Sequence, residues 1–334
     1  MDKPFDIAIM GAGIVGCLLY YELIKQGRRV ALFDKADVAS ATTGLSGGFI
    51  SSVSAFTDQV DVIQQNQLYF KALQQNGIEC GIRKVGCLLL SNKNLPHCED
   101  IKNLLPQTLN TEIVRSPPHF FYDKQAICVS PASICQQLVA RENKKYFFSH
   151  HAVERLEKTN NGFKIISNKI EFLANKVIVA AGSGSQQLLR RSHFSHDFLS
   201  NKSFQFSIYK IQKSTTIPAI IDLAQQIYII PQKNNQLLMG FLNRDIPASI
   251  NTDVMALDEA LSDELFIRSC SILPCLQQAE LIKKDSAMDA FTKNERVLCC
   301  QHPQQENLYL ATGCSGMGIK FSPSMVKHLL QLLS

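Results

Sequence analysis

Apolar and polar positions follow two periods along this chain, and the period changes several times. Phe5–Met10 is an apolar-rich run of strand length. Val15, Leu18, Leu19 and Leu23 then recur three and four residues apart, the spacing of one buried helical face. Gly27 stands where such a helix ends. Val30–Phe33 is a second apolar run, and Asp34 closes it. The chain therefore opens with a strand–helix–strand unit. Residues 38–58 are rich in Ser, Thr, Gly and Ala and read as a loop. The spacing predicts a helix over 60–75 and a strand over 85–90, whereas 92–118 shows no clear period. Ser130-Pro131 reads as a helix N-cap with proline at the first helical position, opening a helix to about Asn143.

The two-residue period dominates the middle of the chain. Residues 153–158 and 163–167 flank Asn160-Asn161-Gly162, a turn signal. Residues 170–173 add a short third strand, and 177–180 form a continuous apolar run, as in a strand buried on both faces. Residues 203–243 alternate like antiparallel strands, with a hairpin turn at Asn234-Asn235. A helix over 255–270, a buried strand over 308–311 and a final helix opening at Ser322-Pro323 complete the pattern. No internal repeat interrupts it.

Composition narrows the reading. At 334 residues the chain exceeds what one core usually supports, so two lobes are expected. Its 46% hydrophobic and 19% charged content is that of a globular protein. The net charge of +5 is spread in short pairs such as Arg28-Arg29 and Lys283-Lys284, which gives no nucleic-acid footprint. The 11 cysteines are odd in number and lack a Cys-x-x-Cys pair, so no disulfide framework or metal site is expected. His150-His151 reads as exposed loop rather than as ligands. No apolar run approaches the ~18 residues of a membrane span, and the start lacks a leader pattern. A cytoplasmic protein with free thiols is the expectation.

One motif carries chemistry. Gly11-Ala12-Gly13-Ile14-Val15-Gly16 lies between the first strand and its helix, and Asp34 ends the next strand. In such a motif the first glycine permits a tight turn. The second lets a pyrophosphate approach the backbone, and the third lets helix and strand pack closely. The helix N-terminus offers unpaired N–H groups to the phosphates, and the acid can accept from a ribose diol. This pattern alone does not choose between FAD and NAD, which share an ADP half.

Three later segments join it: Thr43-Gly44-Leu45-Ser46-Gly47-Gly48, Val177-Ile178-Val179-Ala180-Ala181-Gly182, and Leu310-Ala311-Thr312-Gly313-Cys314-Ser315-Gly316-Met317-Gly318. In this order the set resembles the D-amino-acid oxidase superfamily of FAD-dependent oxidoreductases, which includes glycine oxidase, sarcosine oxidase and D-amino-acid dehydrogenase. Tyr228-Ile229-Ile230-Pro231 and Leu238-Met239-Gly240 also look like the paired strands of that family's substrate domain. The resemblance implies an α/β fold, with a Rossmann-like FAD-binding domain and a mainly antiparallel β-sheet substrate domain. It implies a discontinuous FAD domain of 1–50, 127–200 and 297–334, with 51–126 and 201–296 forming the substrate domain. FAD contacts would come from Gly11, Ala12, Gly13, Ile14, Val15, Gly16, Asp34 and Lys35. They would continue through Thr42, Thr43, Gly44, Ser46, Gly47, Gly48, Val153 and Gly182. Gly313, Ser315, Gly316, Met317, Gly318, Ile319 and Lys320 would close the set. Lys320, in Gly318-Ile319-Lys320-Phe321-Ser322, inherits the role of the lysine that lies beside the flavin in the sarcosine oxidase branch and pairs with a substrate carboxylate. Tyr228 would line the substrate face.

The chain also departs from that family. Leu238 stands where sarcosine oxidase has the lysine important for oxygen reactivity, and Ala287 where it has the cysteine that tethers the flavin. FAD is therefore expected to be non-covalent, and a quinone-like acceptor is expected ahead of oxygen. The carboxylate-binding arginine of glycine oxidase is missing from Leu281-Ile282-Lys283-Lys284-Asp285, no arginine follows Gly48 in the loop, and the chain has no tryptophan. Three functions stay open: oxidation of the C–N bond of an amino acid or secondary amine, oxidation of a hydroxy acid, and a flavin-binding subunit or degenerate paralogue whose main role is assembly; a homo- or hetero-oligomer is compatible with each.

Overall fold

The structure, a computed structural model, describes residues 3–52, 59–95, 113, 118–142, 146–212, 217–242, 246–247 and 257–334. The chain opens with β1 (Phe5–Met10), α1 (Ile14–Lys25) and β2 (Val30–Phe33). The small-residue stretch is not all loop: it holds the single turn α2 (Thr42–Leu45) and β3 (Phe49–Ile50). Next come α3 (Val60–Gln75), β4 (Arg83–Lys84), β5 (Cys87–Ser91), β6 (His119–Asp123) and β7 (Ile127–Cys128). They are followed by α4 (Pro131–Arg141), β8 (Phe147–Phe148), β9 (Val153–Thr159), β10 (Gly162–Ser167), β11 (Ile170–Val179) and α5 (Gly184–Arg191). The remainder is β12 (Leu199–Lys210), β13 (Ala219–Asp222), β14 (Ile227–Pro231), β15 (Gln236–Phe241), β16 (Ile246–Pro247), α6 (Glu259–Cys270), β17 (Glu280–Thr292), β18 (Leu298–Gln301), β19 (Leu308–Thr312) and α7 (Gly318–Leu333).

The first sheet runs β18-β19-β11-β1-β2-β8. The pairs β19–β11, β11–β1, β1–β2 and β2–β8 are parallel, and the β9–β10 meander extends it. Its central strands are buried on both faces, which is why they read as continuous apolar runs. One face carries α1, α4 and α7 through Leu18, Leu138, Met325 and Leu329. The other carries the meander and α5 through Phe163, Ile165, Leu188 and Leu189. The second sheet runs β16-β12-β15-β14-β13-β5-β6, with β17 along β12. All its pairs are antiparallel except β13–β5. A small β3-β7-β4 sheet joins the connections between the two. The mixed α/β architecture expected from the sequence is observed.

Several expectations need correction. The strands expected at 170–173 and 177–180 are one strand, β11. Its first half pairs with β10 in the meander and its second half with β1 and β19; Ala174 pairs with both Phe163 and Phe5, so the ladders hold the chain extended through Asn175. The strand expected from 85 begins at Cys87, since the amides of Val85 and Gly86 both donate to the Ala126 carbonyl. Ser130 is the N-cap of α4 with Pro131 at its first position, as expected, but its side chain makes no cap hydrogen bond and its backbone N–H donates to the Cys80 carbonyl. Asn143, the expected end of that helix, lies outside the described residues. Asn234 and Asn235 both take φ of 57°, the left-handed pair that a tight hairpin turn requires.

The correction that matters most concerns the last helix. It does not open at Ser322-Pro323 but at Gly318, with Pro323 inside it. Proline at this point removes one N–H, which would have bonded the Ile319 carbonyl. The Ser322 hydroxyl donates to that carbonyl at 3.2 Å and replaces the lost bond. Lys320 is consequently the third residue of α7.

Candidate functional site

The turn after β1 separates two kinds of glycine. Gly11 sits at φ 107°, and a Cβ there would lie 2.5 Å from the Ala180 carbonyl oxygen. At Gly16 a Cβ would lie 1.9 Å from the Gly11 carbonyl oxygen. These two glycines are demanded by packing between strand and helix. Gly13 is not: a Cβ there would meet only the Thr43 hydroxyl, at 3.0 Å. The same is true after the neighbouring strands. Gly182, beyond β11, has φ 52° and nothing within 4 Å of the added atom; Gly316, beyond β19, has φ 77° and nothing either. Gly313 differs, since a Cβ there would press on Thr292 at 2.7 Å, and at Gly318 it would touch only Cys314. Side-chain-free space therefore collects at the carboxyl ends of three parallel strands, where open α/β sheets bind ligands.

Asp34 faces this space. One carboxylate oxygen accepts from the Ala12 amide at 2.6 Å and the other from the Ala36 amide at 2.9 Å. Burial pushes its pKa up, and the amides partly oppose that. Each oxygen keeps a further lone pair with which to accept from a diol. The Asp34 carbonyl accepts from His151, two residues before Val153 at the start of β9, so Val153 is brought to the same end of the site. Lys35 is exposed.

The loop of small residues closes over the turn. The Thr43 hydroxyl accepts from the Ile14 amide at 3.1 Å, taking up an unpaired donor of the first turn of α1. Thr42 donates to the Met288 carbonyl of β17 at 2.6 Å, which ties the loop to the second sheet. Gly44 and Gly48 are required by crowding, with an added Cβ at 2.2 Å from the Ala39 oxygen and 2.1 Å from the Val129 oxygen. The Ser46 hydroxyl accepts from the Gly48 amide at 3.1 Å. Gly47 lies against Gln232 and Ile230 of the second sheet. Ile14, Val15 and Ile319 have buried side chains and can offer only backbone, while Met317 is the N-cap of α7.

Lys320 follows at once. Its carbonyl accepts from the buried Asn66 of α3 at 2.9 Å. Its side chain is half-buried, and desolvation holds its pKa below the usual lysine value, partly opposed by Cys87 and Asp123. No side chain among the described residues hydrogen-bonds its Nζ. The first turn of a helix disfavours a cation as well. Beside it lies a polar cluster that sequence reasoning missed. The buried Asp123 carboxylate accepts from the Ser51 hydroxyl at 2.8 Å, the Ser52 amide at 2.8 Å, the Ser52 hydroxyl at 3.0 Å and the Gln125 amide at 2.8 Å. Cys87, its partner across β5–β6, is buried, and its thiol is pushed up to about 12.

Tyr228 belongs to another wall. Its ring crosses Gly240, where a Cβ would lie 2.2 Å from the phenol oxygen, and burial pushes its pKa up to about 12. It packs beside Phe206, Ile230, Leu238 and Ala287, so the two departures Leu238 and Ala287 share one apolar patch. A second missed residue, Asp289 of β17, accepts from the Gly316 amide at 2.8 Å. An acid within the run Ala287-Met288-Asp289-Ala290 was the available signal for it.

Comparison with known proteins decides the cofactor. A family model described as FAD dependent oxidoreductase (DAO) matches residues 6–332. The chain belongs to this family. The oxidoreductase is 21% identical to a glycine oxidase of Geobacillus kaustophilus over 97% of its own length and 91% of the relative's. The crystal structure of glycine oxidase from Geobacillus kaustophilus superposes with a TM-score of 0.86 at 19% identity, covering 99% of this chain and 95% of that one. L-proline dehydrogenase from P. horikoshii superposes with a TM-score of 0.87 at 16% identity, covering 100% and 94%. Among the described residues, no helix of this FAD-dependent oxidoreductase is long and apolar enough to cross a membrane.

Proposed function

We propose that this FAD-dependent oxidoreductase oxidises the C–N bond of an amino acid or secondary amine that carries a carboxylate, and that it passes electrons to a quinone-like acceptor in preference to oxygen. The observation that carries the reading is Lys320. A half-buried ammonium in the first turn of a helix, without a hydrogen-bond partner among the described residues, is an expensive placement. An anionic ligand group offsets that expense. Asp123 stands close enough to favour the charged form of Lys320, whereas the neighbouring Cys87 thiol stays neutral. Asp123 is itself held by Ser51, Ser52 and the Gln125 amide.

FAD would be held non-covalently. Gly11–Gly16 and Asp34 take the ADP half, Thr42–Gly48, Val153 and Gly182 surround it, and Gly313–Lys320 lie against the ring. Bound there, FAD supplies the two-electron chemistry, while the protein supplies binding, orientation and electrostatics. The Lys320 ammonium orients the substrate carboxylate. The apolar wall of Tyr228, Leu238 and Ala287 excludes water and presents no cation for oxygen chemistry. Strand membership supports a discontinuous FAD domain of 1–50, 127–200 and 297–334 beside a substrate domain of 51–126 and 201–296.

Turnover with an artificial electron acceptor tests the reading. Amino acids and secondary amines should reduce the acceptor, and hydroxy acids should not. Turnover of hydroxy acids alone would replace the C–N reading. No turnover of either class by FAD-loaded protein would favour an assembly subunit.

A further inference from the structure

The proposed mechanism leaves a buried carboxylate beside the 313–318 loop unused. Asp289 lies on β17 of the second sheet, 7% exposed, and among the described residues its carboxylate meets no cation. One oxygen accepts from the Gly316 amide at 2.8 Å and the other from the Ala290 amide at 2.8 Å. The next contact repeats the pattern, because the Ser315 amide donates to the Ala290 carbonyl at 3.0 Å. Two successive amides of the 313–318 loop are thus pinned by two successive residues of β17. The loop needs pinning: Gly313, Ser315 and Gly316 all have positive φ, at 62°, 51° and 77°, and Ser315 is not a glycine.

We propose that Asp289 is the positioning residue of the flavin loop, whose ionised carboxylate holds the Gly316 amide, and through it residues 313–318, in the shape that grips FAD. The inference rests on the reading that this loop lies against the flavin. A carboxylate accepts from both amides at full strength, whereas a carboxylic acid turns one oxygen into an O–H and gives up an acceptor. Burial pushes the Asp289 pKa up to about 6, opposed by its two amide bonds, so the change falls in an accessible range. The surrounding elements add no competing titration. The Cys314 thiol is held well above its ordinary range by burial, Asp289 and Cys299, and stays neutral. Lys202, opposite Asp289 on β12, turns its ammonium to Glu295 at 3.2 Å and to the Phe291 ring. The α2 turn carries no ionisable side chain, and Arg190 and Arg191 of α5 are exposed.

The test is FAD binding to apoprotein, read by quenching of flavin fluorescence between about pH 5 and pH 7.5. Wild-type affinity should weaken about tenfold or more toward pH 5, the loss expected for one charge-assisted hydrogen bond. Asp289→Asn should bind weakly at every pH and keep only the shallower slope left by Asp34, the other FAD-binding acid whose pKa burial raises. Asp285→Asn, a half-buried acid on the same strand paired with Lys283, should keep the wild-type profile. A wild-type profile that is flat overturns the proposal even if Asp289→Asn does not fold. So does an Asp289→Asn variant with wild-type affinity and slope. Absence of FAD binding by wild type at any pH overturns the flavin-loop reading, and the inference with it.

Discussion

Replacing Lys320 with methionine keeps most of the stem and removes the charge. Two opposite effects follow. The Lys320 pKa is lowered by desolvation, so the folded state disfavours its ammonium at neutral pH relative to the unfolded chain. The first turn of α7 adds to that disfavour. Lys320→Met should therefore fold, bind FAD and melt at an unchanged or higher temperature. Substrate binding should move the other way. Losing a charge-assisted hydrogen bond to a carboxylate costs about 1.5–3 kcal/mol, roughly one to two orders of magnitude in KM. The assay compares a carboxylated amine with its uncharged analogue under an artificial acceptor, alongside a thermal melt. Only the carboxylated compound should lose affinity. In the wild type that affinity should also fall as pH rises through the lowered lysine pKa, because the ammonium is the binding form. Equal losses for both compounds would refute the carboxylate role and leave Lys320 serving the cofactor alone.

Four further outcomes are expected. Gly13→Val should fold, since its Cβ meets only the Thr43 hydroxyl, but should lose FAD retention, read as the ratio of flavin to protein absorbance. Acid precipitation of yellow wild-type protein should leave all flavin in the supernatant, because Ala287 offers no thiol; colour in the pellet would contradict this. The reduced enzyme should reoxidise slowly in air and faster with quinones, with Leu238→Lys speeding the air reaction; rapid peroxide formation by wild type would sink this expectation. The raised Asp289 pKa means the folded apoprotein holds this proton more tightly than the unfolded chain. Its contribution to stability is therefore full below the unfolded value of 3.8 and is lost as pH rises through about 6. The loss is about 3 kcal/mol, and urea melts of wild type against Asp289→Asn across that window should show the slope disappear.

How much was legible in the sequence followed the range of the interaction. Gly11, Gly13 and Gly16 were readable because a turn, a ligand approach and a helix–strand contact are met within six residues. The parallel strands were readable because burial on both faces leaves an unbroken apolar run. The start of α7 was misread because Ser322-Pro323 has the composition of a helix opening. What keeps Pro323 inside the helix is one hydroxyl reaching the Ile319 carbonyl, a contact with no sequence period. Asp123, Ser51 and Ser52 were missed for a related reason. They lie 71 and 72 positions apart in sequence and meet only when β3 and the second sheet come together. Thr42 meets Met288 across 246 positions, which no local pattern announces.

The missing family arginines and Leu238 invite the reading that this chain is a flavin-binding scaffold without chemistry of its own. The energetics of the site argue otherwise. A scaffold retained for assembly needs a stable fold, and buried charge without full compensation works against stability. Yet this chain keeps an ammonium at the start of a helix and, beside the 313–318 loop, a carboxylate that meets no cation among the described residues. Both lie at the end of β19, on the side where Gly316 leaves open space. Violations of local rules concentrate where function demands them. A flavin-binding assembly subunit should, like an enzyme, gain stability from Lys320→Met and lose FAD through Asp289→Asn, because both readings need the same grip on the cofactor. An enzyme should in addition lose carboxylated substrate through the first. Titration of FAD-loaded wild type and Lys320→Met with a carboxylated amine, read by the flavin absorbance, therefore separates the two readings: binding that the variant loses supports an enzyme, and no binding by wild type supports a scaffold.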